Sequence, residues 1–174
     1  MKKLVILFAL VATLFAISAP KAVAQDNPFS AGKIMAGAYV GMPYTFSGLT
    51  VPPIGVTGEY GIVDFGGGDY GTLGAGAAFD FELDHYSYSG KNKIYMPFEV
   101  SGFAAYHYFF NPSFEVHAKA GLGFYSWGSE IHYHGLSYYE FAGVSYFFSP
   151  SIAVTAEVGY SALSYIHIGI NFVL

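Results

Sequence analysis

Tyr165-Ile166-His167-Ile168-Gly169-Ile170-Asn171-Phe172-Val173-Leu174 closes the chain. Ile166, Ile168, Ile170, Phe172 and Leu174 share one parity; His167, Gly169 and Asn171 share the other. Side chains on a strand alternate sides, so this is a strand with one apolar face and one polar or small face. In a soluble sheet a terminal strand of this kind would be an adhesive edge. In a closed barrel it pairs with the first strand and no edge is left. The stretch is therefore expected to be the closing strand of a small barrel whose apolar face meets lipid.

Composition points the same way. Aromatic residues make up 20% of the 174 residues and charged residues only 11%, against roughly 25% charged in an average soluble chain. Residues 1–24 read as a cleaved secretory signal peptide. Lys2 and Lys3 precede an apolar run from Leu4 to Ile17, and Ala22-Val23-Ala24 supplies the small residues of a cleavage site. Beyond that segment no apolar run approaches the ~18 residues of a membrane helix. An apolar, charge-poor chain without a spanning helix is left with two designs: a soluble β-protein with a large core, or a barrel that is apolar outside. Cysteine is absent, which excludes a disulfide framework. Arginine is absent too, and past the signal only Lys33, Lys91, Lys93 and Lys119 stand against twelve carboxylates. Nucleic acid is not an expected partner, since it needs a basic footprint.

The same alternation recurs upstream. Residues 25–32 form a polar leader, and residues 33–174 form the barrel. Strands are predicted over Lys33–Met42, Ile54–Val63, Gly71–Asp84, Met96–Phe109, Phe114–Trp127, Tyr138–Phe147 and Ile152–Ser161, with the terminal strand as the eighth. Most are near the ten residues that cross a bilayer at a tilt. Connections alternate between tight, Pro- or Gly-rich turns (Asp64–Tyr70, Phe110–Ser113, Phe148–Ser151) and longer tips rich in Tyr and His (Pro43–Pro53, His85–Tyr95, Gly128–Ser137). Tyr108-Phe109-Phe110-Asn111-Pro112-Ser113 and Tyr146-Phe147-Phe148-Ser149-Pro150-Ser151 repeat one pattern, aromatic strand end then Pro turn, as an interfacial aromatic girdle requires. The predicted fold class is all-β: an eight-stranded antiparallel up-and-down transmembrane β-barrel preceded by a cleaved signal peptide.

On these strands, turns and signal the chain resembles the small eight-stranded outer-membrane β-barrel family, the group of OmpX- and OmpA-type barrels. The resemblance covers nearly all of the chain after the signal and rests on no single motif. It implies location in the outer membrane, with membrane lipid, lipopolysaccharide and the barrel-insertion machinery as partners. Many members end in a Phe that the insertion machinery reads. Here Phe172 precedes the terminal Leu174 on the same face.

The assigned parity turns Lys33, Glu59, Asp80, Glu82, Glu99, His107, Glu115, His117, Lys119, Glu140, Glu157 and His167 inward. The sixth strand alternates least clearly; Glu140 is set inward and Phe141 outward by analogy with the other carboxylates. An eight-stranded barrel is just wide enough for side chains to fill. These groups are therefore expected to form a packed structural network and not a pore, with buried charges paired or hydrogen-bonded. Tyr86, Tyr88, Lys91, Lys93, Trp127, His132 and His134 are candidate surface-contact residues at the tips. Tyr95, Tyr133, Tyr138 and Tyr139 extend that aromatic cluster as an outer girdle, and an unidentified surface partner would meet it there. His85, His132 and His134 are too few and too loosely placed to predict a metal site. Ser126, Ser129 or Ser137 with His132, His134 and Glu130 hold the residue types of a lipid hydrolase, but a triad is recognised by geometry. No catalysis, cofactor or metal is expected. The competing readings are a soluble secreted barrel that binds an apolar ligand, with Glu115, Lys119 and Glu157 on its surface, and an outer-membrane lipid-modifying hydrolase.

Overall fold

The computed structural model describes residues 27–45, 48–68, 71–88, 91–128 and 133–174; the segment read above as a signal peptide lies outside them. Among the described residues nine strands follow in order: β1 (Ile34–Pro43), β2 (Leu49–Asp64), β3 (Thr72–Tyr88), β4 (Lys91–Tyr95), β5 (Phe98–Asn111), β6 (Phe114–Ser126), β7 (His134–Ser149), β8 (Ile152–Tyr160) and β9 (Ser164–Val173). Eight of them close a ring in which each strand is antiparallel to its neighbours, β1-β2-β3-β5-β6-β7-β8-β9 and back to β1. The closure is the β1–β9 ladder, where Ala38 faces Ile170 and Val40 faces Ile168. The terminal strand thus has no open edge.

The ninth strand, β4, is an extension of the wall. It pairs with Asp84–Tyr88 of β3, and the chain breaks at Met96 and Pro97 before β5 begins. Proline has no N–H to donate to a ladder, so a break there follows. The predicted tip His85–Tyr95 is therefore largely a two-stranded projection. The first connection is also shorter than expected. β2 begins at Leu49, and Pro52 and Pro53 lie inside it, at register shifts between Leu49 and Ile54. Irregular ladder positions are where a strand tolerates proline.

Strand lengths make the rim uneven. β8 has 9 residues and β1 and β9 have 10, whereas β2, β3 and β7 have 16 or 17. About 9–11 tilted residues span a bilayer. The β8-β9-β1 side is thus just long enough to cross one, and the opposite wall is taller at the tip end.

Orientation is settled by exposure. Ile168 is 61% exposed and Leu122 59%, while Glu115 is 0% and Glu157 6%. The apolar side chains line the exterior and the acids fill the interior, the reverse of a soluble barrel with an apolar cavity. Ile168 stands midway along β9, so Ile168→Arg will cost about 2–4 kcal/mol, the penalty for a cation facing lipid at mid-bilayer. Met42→Arg, at the tip-end limit of β1, will cost about 0–1 kcal/mol. Urea unfolding from lipid vesicles measures both; equal costs would show that depth in a bilayer is not what these positions feel.

Candidate functional site

The turn end of the lumen is sealed by the leader. Residues 27–32 fold back under the barrel, and Phe29 is wholly buried. It joins Met35, Phe109, Phe147, Ala153 and Val173 in an apolar layer, its ring edge-on to His107 at 4.8 Å. Backbone bonds hold it: Gly32 N–H donates to Gly61 O at 2.9 Å, and Ala31 N–H to Asp64 Oδ1 at 2.9 Å. A Cβ on Gly61 would sit 2.2 Å from Ser30 O, so only glycine lets the leader lie this close. Lys33 belongs to this seal and not to the charge network predicted for it. Its ammonium donates to the carbonyls of Pro28 (2.8 Å) and Asn27 (3.2 Å), because it precedes β1 at the level of the leader. Sequence reading missed Phe29; its one signal was a lone aromatic in a polar segment.

Above the apolar layer runs a chain of alternating carboxylates and imidazoles. Glu59 Oε1 lies 2.6 Å from His107 Nε2, and His107 Nδ1 lies 2.7 Å from Glu115 Oε1. His117 Nδ1 approaches the same Glu115 oxygen at 2.9 Å, though it is not aligned for a hydrogen bond. His117 Nε2 is 2.7 Å from Glu157 Oε1, which also receives Lys119 Nζ at 2.6 Å. Glu157 Oε2 is 3.2 Å from His167 Nδ1, and His167 Nε2 is 2.6 Å from Ser164 Oγ. The register builds this chain. His107 and His117 face each other across β5–β6, and Glu157 faces His167 across β8–β9. Gly143 makes room: a Cβ there would come within 2.6 Å of His117 Nε2.

Aromatic rings pack the next level. His167 is stacked between Tyr39 and Phe141, each at 4.0 Å. Phe103, Tyr139 and Phe141 cluster with Ala78 and Ala105, and Lys119 Nζ lies 5.4 Å from the Phe103 ring centre. Toward the tip end Asp80 and Glu99 are register partners on β3 and β5, both wholly buried. Tyr39 Oη donates to Asp80. Glu99 accepts from Ser101 Oγ (3.1 Å), from Ser137 Oγ and from Ala162 N–H (2.7 Å). That last bond draws the 161–163 connection over the mouth, where Ser161 and Leu163 are buried. Glu82 and Asp84 face the lumen above Asp80 and are also buried. A cavity of about 10 Å³, the room of one water molecule, remains among Tyr39, Thr57, Lys119, Thr155, Glu157, His167 and Asn171. Nothing larger than water fits there.

Three inward or outward assignments reverse. Glu140 points outward, not into the lumen. It lies in register with Ala120 and Tyr160, both outward, while Phe141 turns in and is 3% exposed. Tyr139, assigned to the outer girdle, is wholly buried in the lumen. β7 carries aromatics on both parities, so hydrophobicity does not choose its inner face; the ladders to β6 and β8 do. Tyr160, at the tip-end limit of β8, sets Glu140 near the membrane boundary. Glu140→Leu will therefore leave stability unchanged or raise it by up to about 1 kcal/mol, measured by the same unfolding assay.

The tip residues are spread out. Lys93, Tyr133, His134 and Tyr138 are exposed and Trp127 half-buried. The Trp127 N–H donates to Tyr133 O at 2.9 Å. Tyr86, Tyr88 and Lys91 lie on the β3–β4 hairpin, their side chains outside what the structure describes. Ser129, Glu130 and His132 fall outside the described residues. Of the hydrolase residue types, Ser126 and His134 are register partners on the outer face, whereas Ser137 points inward onto Glu99. Ser164, His167 and Glu157 do line up as hydroxyl, imidazole and acid. Ser164 is wholly buried, though, and a Cβ on Gly41 would touch it at 2.8 Å, so an acyl group has no room beside it.

No family model matches the chain, and no curated protein does. Solved structures do. A de novo designed transmembrane β-barrel aligns with a TM-score of 0.53 at 19% identity, over 84% of this chain and 98% of its own. The outer membrane protein Ail of Yersinia pestis, in a phospholipid bilayer nanodisc, aligns with a TM-score of 0.50 at 13% identity, over 83% and 100%. The chain has the fold of the small outer-membrane β-barrels. The N-terminal β-barrel domain of Pseudomonas aeruginosa OprF is also similar, with a TM-score of 0.49 at 14% identity over 84% and 100%. In this fold the exposed large apolar side chains line the outside of the barrel and the bore is occupied by side chains.

Proposed function

We propose that the protein is an integral outer-membrane barrel with a structural, surface-interaction or envelope-integrity role, without catalysis or solute conduction. The observation that carries this reading is the filled bore, closed by Phe29 at one end and by the 161–163 connection at the other. The tight turns Pro112–Ser113 and Pro150–Ser151 and the leader then face the periplasm, following the usual asymmetry of such barrels, and the tall β3–β4 and β6–β7 wall faces outward. Its partners are outer-membrane lipid and lipopolysaccharide, with Lys93 exposed on the outer side, and the barrel-insertion machinery during assembly.

Purified, refolded protein in planar bilayers tests the reading. The expected result is heat-modifiable migration in detergent gels with no unitary conductance steps. Regular steps would show a pore and overturn the closed-bore role. Release of fatty acid from phospholipid or lipopolysaccharide by the same preparation would overturn the non-catalytic part. Deletion in the source bacterium, read by entry of large hydrophobic dyes, then tests the envelope role; unchanged entry removes it.

A further inference from the structure

The two buried imidazoles of the lower lumen share an orientation that proton-sharing alone does not require. His107 and His117 both turn Nδ1 toward one oxygen, Glu115 Oε1, at 2.7 and 2.9 Å. Both turn Nε2 outward onto a carboxylate, Glu59 at 2.6 Å and Glu157 at 2.7 Å. Two histidines converging on a carboxylate, each held from behind by a further carboxylate, is how proteins fix imidazoles that ligate a metal. The facing atoms of His107, Glu115 and His117 all lie within 4.8 Å of one another. An ion with bonds of 2.0–2.2 Å holds its ligand atoms about 3.3 Å apart. To hold one, the 2.7 and 2.9 Å contacts widen by about half an ångström, and any longer separation within the cluster closes.

One polar atom of this cluster calls for a partner. Glu115 Oε2 is buried without a hydrogen-bond partner among the described residues, in a side chain that is 0% exposed, while His117 Nδ1 has only the 2.9 Å approach to Glu115 Oε1. Orphaned buried acceptors are rare in a settled network. An ion at this point would take His117 Nδ1, His107 Nδ1 and both oxygens of Glu115, which gives Glu115 Oε2 a partner. Charge agrees. Glu59, Glu115 and Glu157 face only Lys119 as a fixed cation, which leaves two negative charges when both imidazoles are neutral. One divalent ion balances them in place of two protons, which leave to solvent as it binds.

We propose that His107, His117 and Glu115 form a binding site for a late first-row divalent cation, with Glu59 and Glu157 orienting the two imidazoles. A mixed nitrogen and oxygen donor set suits zinc, nickel or copper better than calcium or magnesium. The lumen is closed above and below this level, so the ion enters while the barrel folds.

The test is to refold tag-free protein from urea into detergent with zinc or with a chelator, remove unbound metal, and measure metal per chain. Expected are one zinc retained per chain, a higher unfolding midpoint than the chelator-refolded protein, and a tetrahedral-type visible spectrum with cobalt. H107Q and H117Q will lose the retained metal, E59Q will weaken it by about 10- to 100-fold, and H134Q will keep it. Wild-type protein that refolds yet retains no metal overturns the site, as does retention that survives H107Q together with H117Q. Should those two variants fail to fold, E59Q decides: unchanged affinity overturns the proposal. None of these outcomes bears on the conductance result, so the site and the closed-barrel role stand or fall separately.

Discussion

Glu157→Leu will destabilise the barrel by about 3–5 kcal/mol, the cost of breaking a buried ion pair from one side. The carboxylate is the hub of the lumen. It holds Lys119 at 2.6 Å, His117 at 2.7 Å and His167 at 3.2 Å. Leucine is close in volume, so the loss is one of charge and hydrogen bonds and not of packing. Lys119, 6% exposed, then keeps a charge in a medium that solvates it poorly. The matched substitution is Glu140→Leu, the same chemical change on the outer face. Urea titration of protein in lipid vesicles, followed through the single tryptophan, Trp127, gives both numbers. A Glu157→Leu cost no larger than that of Glu140→Leu would mean that the inner carboxylates only fill space.

Phe29→Ala will cost about 3–5 kcal/mol, the usual range for emptying a buried aromatic site. Its ring is the centre of the apolar layer at the turn end, and its neighbours come from β1, β5, β7, β8 and β9. No single strand can move in to close the gap, because each is held by two ladders. The leader then loses its apolar anchor, leaving polar contacts to hold it: the Gly32–Gly61 and Ala31–Asp64 bonds, the Thr72 hydroxyl on Phe29 O and the Lys33 ammonium on the Asn27 and Pro28 carbonyls. Limited proteolysis will cut between Asn27 and Gly32 faster in the variant than in the parent, alongside the lower unfolding midpoint. Equal cutting and an equal midpoint would show that the leader does not seal the barrel.

How far the sequence alone reaches differs from strand to strand, for one physical reason. A strand side chain has two choices, in or out. Where one parity is aliphatic and the other carries acids, imidazoles or glycine, the choice is made locally. That holds for β1, β3, β6, β8 and β9, and it sets Glu115, His117, Lys119, Glu157 and His167 in the lumen with Ile168 on the exterior. The same alternation gives the barrel, since so many apolar faces have no interior to share.

Tertiary structure decided the rest. In β7 Tyr138 and Tyr146 compete with Tyr139 and Phe141, so only the ladders to Ala120 and Tyr160 could turn Glu140 outward. Phe29 carries no strand pattern; its burial depends on the gap that eight closed strands leave at their base. The partners of the charges were equally out of reach. Glu59 and His107 are 48 residues apart in the chain and His117 and Glu157 are 40 apart. That these groups share an inside follows from strand alternation, because parity is a local property. Which imidazole meets which carboxylate is set by the shear of the closed ring, which no one strand contains.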